Sequence, residues 1–150
     1  MYKLISTGLG IGYIRKGGGS VAAAFAALLI ILCQTGGNTF SITTSVIITI
    51  ALIGAGTLSS YKVEPFWGKD NYRVVIDEIA GMWISVLFLP VKVPYVIAGF
   101  ILFRFFDIVK PLFIRRMERL PGGVGVMMDD VLAAIYTNIL LQIAVAYNLF

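Results

Sequence analysis

Histidine is absent from all 150 residues, and Cys33 is the single cysteine. The first absence removes the commonest general base and metal ligand. The second excludes an internal disulfide and any cysteine-cluster metal site. Charge is also scarce: Asp, Glu, Lys and Arg make up 13% of the chain, 59% is hydrophobic, and mean hydropathy is +0.91. Ordinary soluble domains carry about 25% charged and roughly 45–50% apolar residues. Too little polar surface is left to wrap a water-soluble globule of this size, so the composition predicts an integral membrane protein. The net charge of +4 does not argue for nucleic acid, because the basic residues follow a pattern that a membrane explains better.

From Gly17 to Tyr61 there is no Asp, Glu, Lys or Arg. About 20 apolar residues in a helix cross a bilayer core, so this stretch is long enough for two passes. It divides at the polar, glycine-containing segment Gln34-Thr35-Gly36-Gly37-Asn38, a turn signal. The expected spans are Gly19–Cys33 and Ile42–Tyr61. Lys92, between Pro90 and Pro94, reads as the turn of a hairpin joining spans at Ile79–Leu89 and Tyr95–Phe106. Both are short for a full crossing, so they extend into charged flanks or sit where protein replaces lipid. An uncharged stretch after Asp130, Val131–Phe150, forms a fifth. The apolar run after Lys16 lacks a small-residue cleavage site and is followed by further spans, which argues against a cleaved signal peptide.

With five spans and the amino terminus inside, every basic residue except Lys92 lies on the cytoplasmic side. Positive charge in short loops marks that face. The expected fold is therefore all-α: a polytopic membrane bundle of about five hydrophobic helices with short cytoplasmic-side loops, one integral-membrane domain over residues 1–150. A homo-oligomer is compatible with such a bundle. All eight carboxylates fall on the same face, although Asp and Glu contribute little to topology.

Those carboxylates gather at span edges. Asp77-Glu78 opens the third span, Asp107 closes the fourth, and Asp129-Asp130 opens the fifth. Capping accounts for a single Asp at a helix start. It does not account for adjacent acidic pairs on two helices, nor for Asp107 at a carboxyl end, where the dipole disfavours negative charge. Five acids converging from three helices repel one another unless cations lie between them. Oxygen-only ligation without His or Cys points to a hard cation, Mg²⁺ before others. Two glycine clusters add to this, Lys16-Gly17-Gly18-Gly19-Ser20 before the first span and Gly122-Gly123-Val124-Gly125 before the last acidic pair. Glycine-rich turns feeding a helix bring backbone N–H groups up to a phosphate, and small residues equally serve close helix packing. Arg104 and Lys110 flank Asp107 at three-residue spacing. They read either as partners of the acids or as clamps for a phosphate.

Three segments occur in succession: Asp77-Glu78-x-x-Gly81, Phe103-Arg104-x-x-Asp107-x-x-Lys110-Pro111, and Gly122-Gly123-x-Gly125-x-x-x-Asp129-Asp130. With the amino-terminal glycines they resemble the phosphatidylglycerophosphatase A family over nearly the whole chain. The turn before the first span departs from the family's Pro-Gly-Thr-x-Gly-Ser, reading Arg15-Lys16-Gly17-Gly18-Gly19-Ser20, and Phe113 stands where a second proline often follows Lys-Pro. The resemblance implies a bacterial inner-membrane, Mg²⁺-dependent phosphatase with its active site on the cytoplasmic face. Such enzymes hydrolyse the terminal phosphomonoester of phosphatidylglycerophosphate to phosphatidylglycerol and inorganic phosphate. Carried over, Asp77, Glu78, Asp129 and Asp130 hold the metal, and Asp107 is a further ligand or the base, with Asp77 and Asp130 also catalytic. Arg104 and Lys110 bind phosphate oxygens, and Gly19, Ser20, Gly122, Gly123 and Gly125 admit the headgroup of an anionic phospholipid.

Elimination agrees. Histidine-dependent lipid phosphatases are excluded, and six residues after Cys33 stands Thr39, not the Arg of a Cys-x5-Arg phosphatase. Two other classes compete. A small cation transporter or channel also clusters intramembrane carboxylates, but near mid-span and with inverted repeats. A metal-dependent lipid-headgroup transferase shares location, metal and substrate, but the chain has no Asp-Gly-x-x-Ala-Arg segment.

Overall fold

The computed structural model describes residues 1–35, 40–90 and 92–149. Among them there are seven helices and no strand: α1 (Tyr2–Ser6), α2 (Gly18–Thr35), α3 (Ile42–Trp67), α4 (Ile76–Ser85), α5 (Val93–Val109), α6 (Ile114–Met117) and α7 (Gly122–Ala146), with a 3-10 turn at Ile11–Tyr13. Five helices of ten or more residues occupy the five stretches expected to be apolar spans. Two of them, α3 and α7, are long and apolar enough to cross a membrane, with mean hydropathies of 1.8 and 1.5. The turn expected at Gln34–Asn38 lies largely outside the described residues, since α2 runs through Thr35.

Local chemistry sets the helix ends. Ser41 caps α3, its Oγ accepting from the Thr44 backbone N–H at 3.1 Å, and Gly68 at φ 86° ends it. Pro94 opens α5, where a missing N–H is harmless. Lys110, in the left-handed region at φ 49°, closes α5 just before Pro111, a residue that cannot continue a helix.

The helices surround α7, which packs against α3, α4, α5 and α6. One face of α2, Ala22, Ala23, Ala26 and Ile30, is buried toward the interior, and its small side chains let α4 and α5 approach closely. Phe103 of α5 is fully buried, with its ring lying where a side chain on Gly81 of α4 would go. Gly123 of α7 similarly faces the Thr57 carbonyl of α3 with no room for a Cβ.

Helix α4 differs most from its expected span. Ten residues rise about 15 Å, half of a bilayer core, and most of them are buried. The helix can stop there because Asn138 of α7 satisfies its carboxyl end. The Asn138 amide donates to the carbonyls of Ile84, Ser85 and Leu87 at 3.2, 3.1 and 2.8 Å. Ser85 is among the terminal residues whose carbonyls any helix leaves without an intrahelical partner, and Leu87 lies in the turn that follows. The last helix also departs from expectation, starting at Gly122 rather than Val131. Its first turns pack on α3 and α6 rather than facing outward, so they tolerate glycines and carboxylates that a lipid-facing span would not.

Replacing Asn138 by Leu removes the side-chain donor to the Ser85 and Leu87 carbonyls, at about 1–3 kcal/mol. Thermal unfolding in detergent is expected to show a Tm lowered by several degrees. An unchanged Tm would mean that the end of α4 is satisfied in another way.

Candidate active site

Backbone anchoring begins at the amino terminus. The Val75 N–H donates to the Ser6 carbonyl at 2.8 Å, just before α4. Gly12 lies flat against the Arg73 carbonyl, where any Cβ would collide. Residues 6–19 therefore fold over the start of α4 and bring the first turn of α2 beside it. At that junction lies a cleft of about 250 Å³, lined by six carboxylates (Asp70, Asp77, Glu78, Asp107, Asp129 and Asp130) and three cations (Arg15, Arg104 and Lys110). Gly17, Gly18 and Gly19 complete one wall, and Asn71 and Tyr72 another.

The acids are buried: Asp77 is 8% exposed, Asp107 9%, Asp129 4% and Asp130 3%. Asp77 and Glu78 stand in the first turn of α4, where the helix dipole favours negative charge. The Glu78 backbone N–H donates to Asp77 Oδ1 at 3.1 Å. The Glu78 carboxylate fills the space a side chain on Gly19 would need, so it also rests at the start of α2. Oxygens of Asp77, Glu78 and Asp130 lie within 4.8 Å of one another, a group that could hold a metal ion. Glu78 Oε2 and Asp130 Oδ2 are buried and have no hydrogen-bond partner. Three buried carboxylates so close together are costly unless a cation joins them, and an all-oxygen donor set suits a hard one.

Neighbouring positions on α7 divide their work because successive helical residues point about 100° apart. Asp130 turns toward Asp77 and Glu78, while Asp129 turns toward Lys110. The Lys110 ammonium donates to Glu118 Oε1 at 2.6 Å and to Asp129 Oδ2 at 2.7 Å. Burial alone would lower the Lys110 pKa, but the hydrogen bonds to Asp129 and Glu118 outweigh it and hold it above the ordinary lysine value. Arg104 donates to Asp107 one turn along α5, and its Nη1 lies 3.7 Å from Glu78 Oε1. The Arg104 Nε, buried, has no partner.

Of the residues expected from the sequence, the structure brings Gly19, Asp77, Glu78, Arg104, Asp107, Lys110, Asp129 and Asp130 to one cleft. It keeps others apart. Asp129 does not join the three-carboxylate group, being held by Lys110 instead. Ser20 does not line the cleft. Gly122 and Gly123 pack on Tyr61 and Thr57 of α3, and Gly125 packs on the Leu120 carbonyl. These three glycines let α7 approach α3 and the chain before it, which is the packing alternative for small residues in helices. Other lining residues, among them Ile14, Arg15, Asp70, Asn71, Tyr72 and Val74, are not candidates on sequence grounds. Arg15 opens the glycine-rich turn before α2, and Asp70, Asn71 and Tyr72 sit in the connection between α3 and α4. No spacing in the sequence links that connection to Asp129, because only the fold does.

A profile of the phosphatidylglycerophosphatase A family matches residues 4–145. A Bacteroides thetaiotaomicron protein provisionally named phosphatidylinositol-3-phosphatase is 44% identical over 145 residues, covering 94% of this chain and 91% of that one. The phosphatidylglycerophosphatase A of Haemophilus influenzae is 36% identical over 141 residues, 91% of this chain and 83% of its own. That of Escherichia coli is 43% identical over 68 residues, 44% of this chain and 40% of its own. No solved structure matches the chain. With a family match over nearly its whole length and its carboxylates gathered in one cleft, this chain belongs to the phosphatidylglycerophosphatase A family of phosphoric monoester hydrolases.

Proposed function

We propose that this protein hydrolyses the terminal phosphomonoester of phosphatidylglycerophosphate, giving phosphatidylglycerol and inorganic phosphate, with Mg²⁺ as its metal. The observation that carries this reading is the group formed by Asp77, Glu78 and Asp130, whose oxygens approach within 4.8 Å and include two orphans. An anionic phosphate meets six carboxylates in the cleft, so the substrate needs a cation that the chain itself supplies only in part. Asp77, Glu78 and Asp130 would hold a divalent ion there, which would supply neutralisation of phosphate charge and a water of lowered pKa, together worth several kcal/mol of barrier reduction.

The chain's own groups perform the remaining tasks. Asp77, Glu78 and Asp130 are the metal-holding set, with Asp129 beside them. In this reading Asp107 orients the attacking water or accepts its proton, a role supported by its contact with Arg104 and its nearness to Asp130. Arg104 still has its Nε free, a donor for an oxygen of the transferring phosphoryl group. Lys110 is a positioning residue that ties α5 to α7 through Asp129. The first-turn N–H groups of α2, at Gly18 and Gly19, add donors without charge.

We read the chain as one integral-membrane domain crossing the bacterial inner membrane several times, with the cleft on the cytoplasmic face. Two helices of sufficient length and apolarity support a membrane setting, and the distribution of basic residues supports the orientation. The lipid's acyl chains stay in the leaflet while its headgroup leans into the cleft. The name of the Bacteroides thetaiotaomicron relative favours a second reading, in which the same site takes the 3-phosphate of a phosphatidylinositol.

Purified protein in mixed micelles is expected to release inorganic phosphate from phosphatidylglycerophosphate with Mg²⁺ and to stop with EDTA. A faster release from phosphatidylinositol 3-phosphate would favour the second reading, and release undiminished by EDTA would reject the metal. Asp77→Asn, Asp107→Asn and Asp130→Asn should each lower kcat by at least about 100-fold, on the scale of removing one electrostatic group from a reacting centre. Membrane yield should stay unchanged. Near-normal turnover in all three would overturn the assignment.

A further inference from the structure

The three cations lining the cleft are not equivalent. Arg104 is committed to Asp107 and Glu78, and Lys110 to Glu118 and Asp129. Arg15 forms no hydrogen bond or ion pair among the described residues and is exposed. It is nonetheless held in place. The turn before it is fixed by the contact of Gly12 with the Arg73 carbonyl, and α2 begins three residues after it. Ile14, 43% exposed, lines the cleft beside it, and Leu9 and Tyr13 are exposed on the same segment. This segment is thus a lip with an apolar edge and one unclaimed guanidinium turned to a cleft of surplus negative charge.

We propose that Arg15 binds the phosphodiester of the lipid substrate while the terminal monoester occupies the carboxylate floor. The inference rests on the lipid-phosphatase reading and adds a recognition residue to it. The reacting phosphate must reach the buried group of Asp77, Glu78 and Asp130. The phosphodiester of the same molecule lies one alcohol unit back toward the acyl chains, at the mouth, where Arg15 and the apolar lip are. A phosphodiester keeps one negative charge at any physiological pH, and against the cleft's carboxylates it is repelled unless a cation meets it. The guanidinium fork matches two phosphate oxygens at once, which an ammonium does not. The ligand class is therefore a glycerophospholipid whose monoester hangs from a phosphodiester. Phosphatidylglycerophosphate and phosphatidylinositol 3-phosphate both qualify, so the inference does not depend on which is the substrate.

The test is the steady-state kinetics of the full chain in mixed micelles with Mg²⁺, on whichever of these two lipids the wild type turns over. Arg15→Gln is expected to raise KM about tenfold, the scale of one charge-assisted contact, with kcat within about twofold. Inhibition by inorganic phosphate, which has no diester and reports on the floor alone, should keep its Ki. Arg15→Lys should recover part of the lost affinity. Lys16→Gln, the same charge change one residue away and outside the cleft lining, should leave KM within about twofold. Arg15→Gln with an unchanged KM would overturn the inference. So would a phosphate Ki that rises in step with KM, or a Lys16→Gln effect of equal size. A wild type that releases phosphate from neither lipid would instead reject the lipid-phosphatase reading, which separates the two failures.

Discussion

Repulsion among buried carboxylates is the constraint around which this protein is organised. Asp77, Glu78, Asp107, Asp129 and Asp130 come from α4, α5 and α7 and are largely removed from water. Like charges at such separations raise the free energy of the folded chain unless each is met by a cation or a hydrogen bond. The fold meets some of them with its own groups and leaves others open. Arg104 takes Asp107, and Lys110 takes Asp129 together with Glu118. Asp77, Glu78 and Asp130 remain as a group with orphaned oxygens. Lys110 ties α5 to α7 and Arg104 reaches from α5 to Glu78 of α4, while Glu78 Oε2, Asp129 Oδ1 and Asp130 Oδ2 are left without a hydrogen-bond partner.

Lys110 shows how binding and architecture share one residue. It closes α5 in a left-handed conformation, ahead of a proline, and its ammonium then spans to the chain after α6 and into α7. A paired charge in a half-buried setting loses little to solvent, and truncating one partner leaves the other stranded. Asn138 plays the corresponding part at the other end of α4. The Asn138 amide bonds carbonyls at the carboxyl end of α4, and the Lys110 backbone N–H bonds the Phe106 carbonyl at the end of α5.

The amino-terminal segment converts this cluster into a cleft. With Ser6 bonded to Val75 and Gly12 pressed on Arg73, the chain is folded back so that Gly17–Gly19 wall the site and Ile14 and Arg15 form its lip. The exposed apolar side chains there, Leu4, Leu9, Tyr13 and Ile14, sit beside Lys3, which stacks over Phe66 and Trp67. Aromatic and basic side chains mixed in this way suit a membrane–water interface.

Composition and charge placement determined a good deal by themselves. The scarcity of charge predicted apolar helices, and five helices of ten or more residues appear in the expected stretches. The acidic pairs and Asp107 were legible because charge in an otherwise apolar chain is rare enough to stand out. Three things were decided only by the tertiary structure. Helix ends depended on partners remote in the chain, as with Asn138 at the end of α4, and α7 began nine residues before its uncharged stretch because its first turns are covered by protein. The glycines of Gly122–Gly125 carry the same sequence signal as Gly17–Gly19, yet one cluster packs on α3 and the preceding chain and the other walls the cleft. Asp129 and Asp130 are neighbours in sequence but face different partners, since one step along a helix turns a side chain by about 100°. Sequence spacing records which residues share a helix; which charge meets which, and which guanidinium is left free, is settled by how the helices pack.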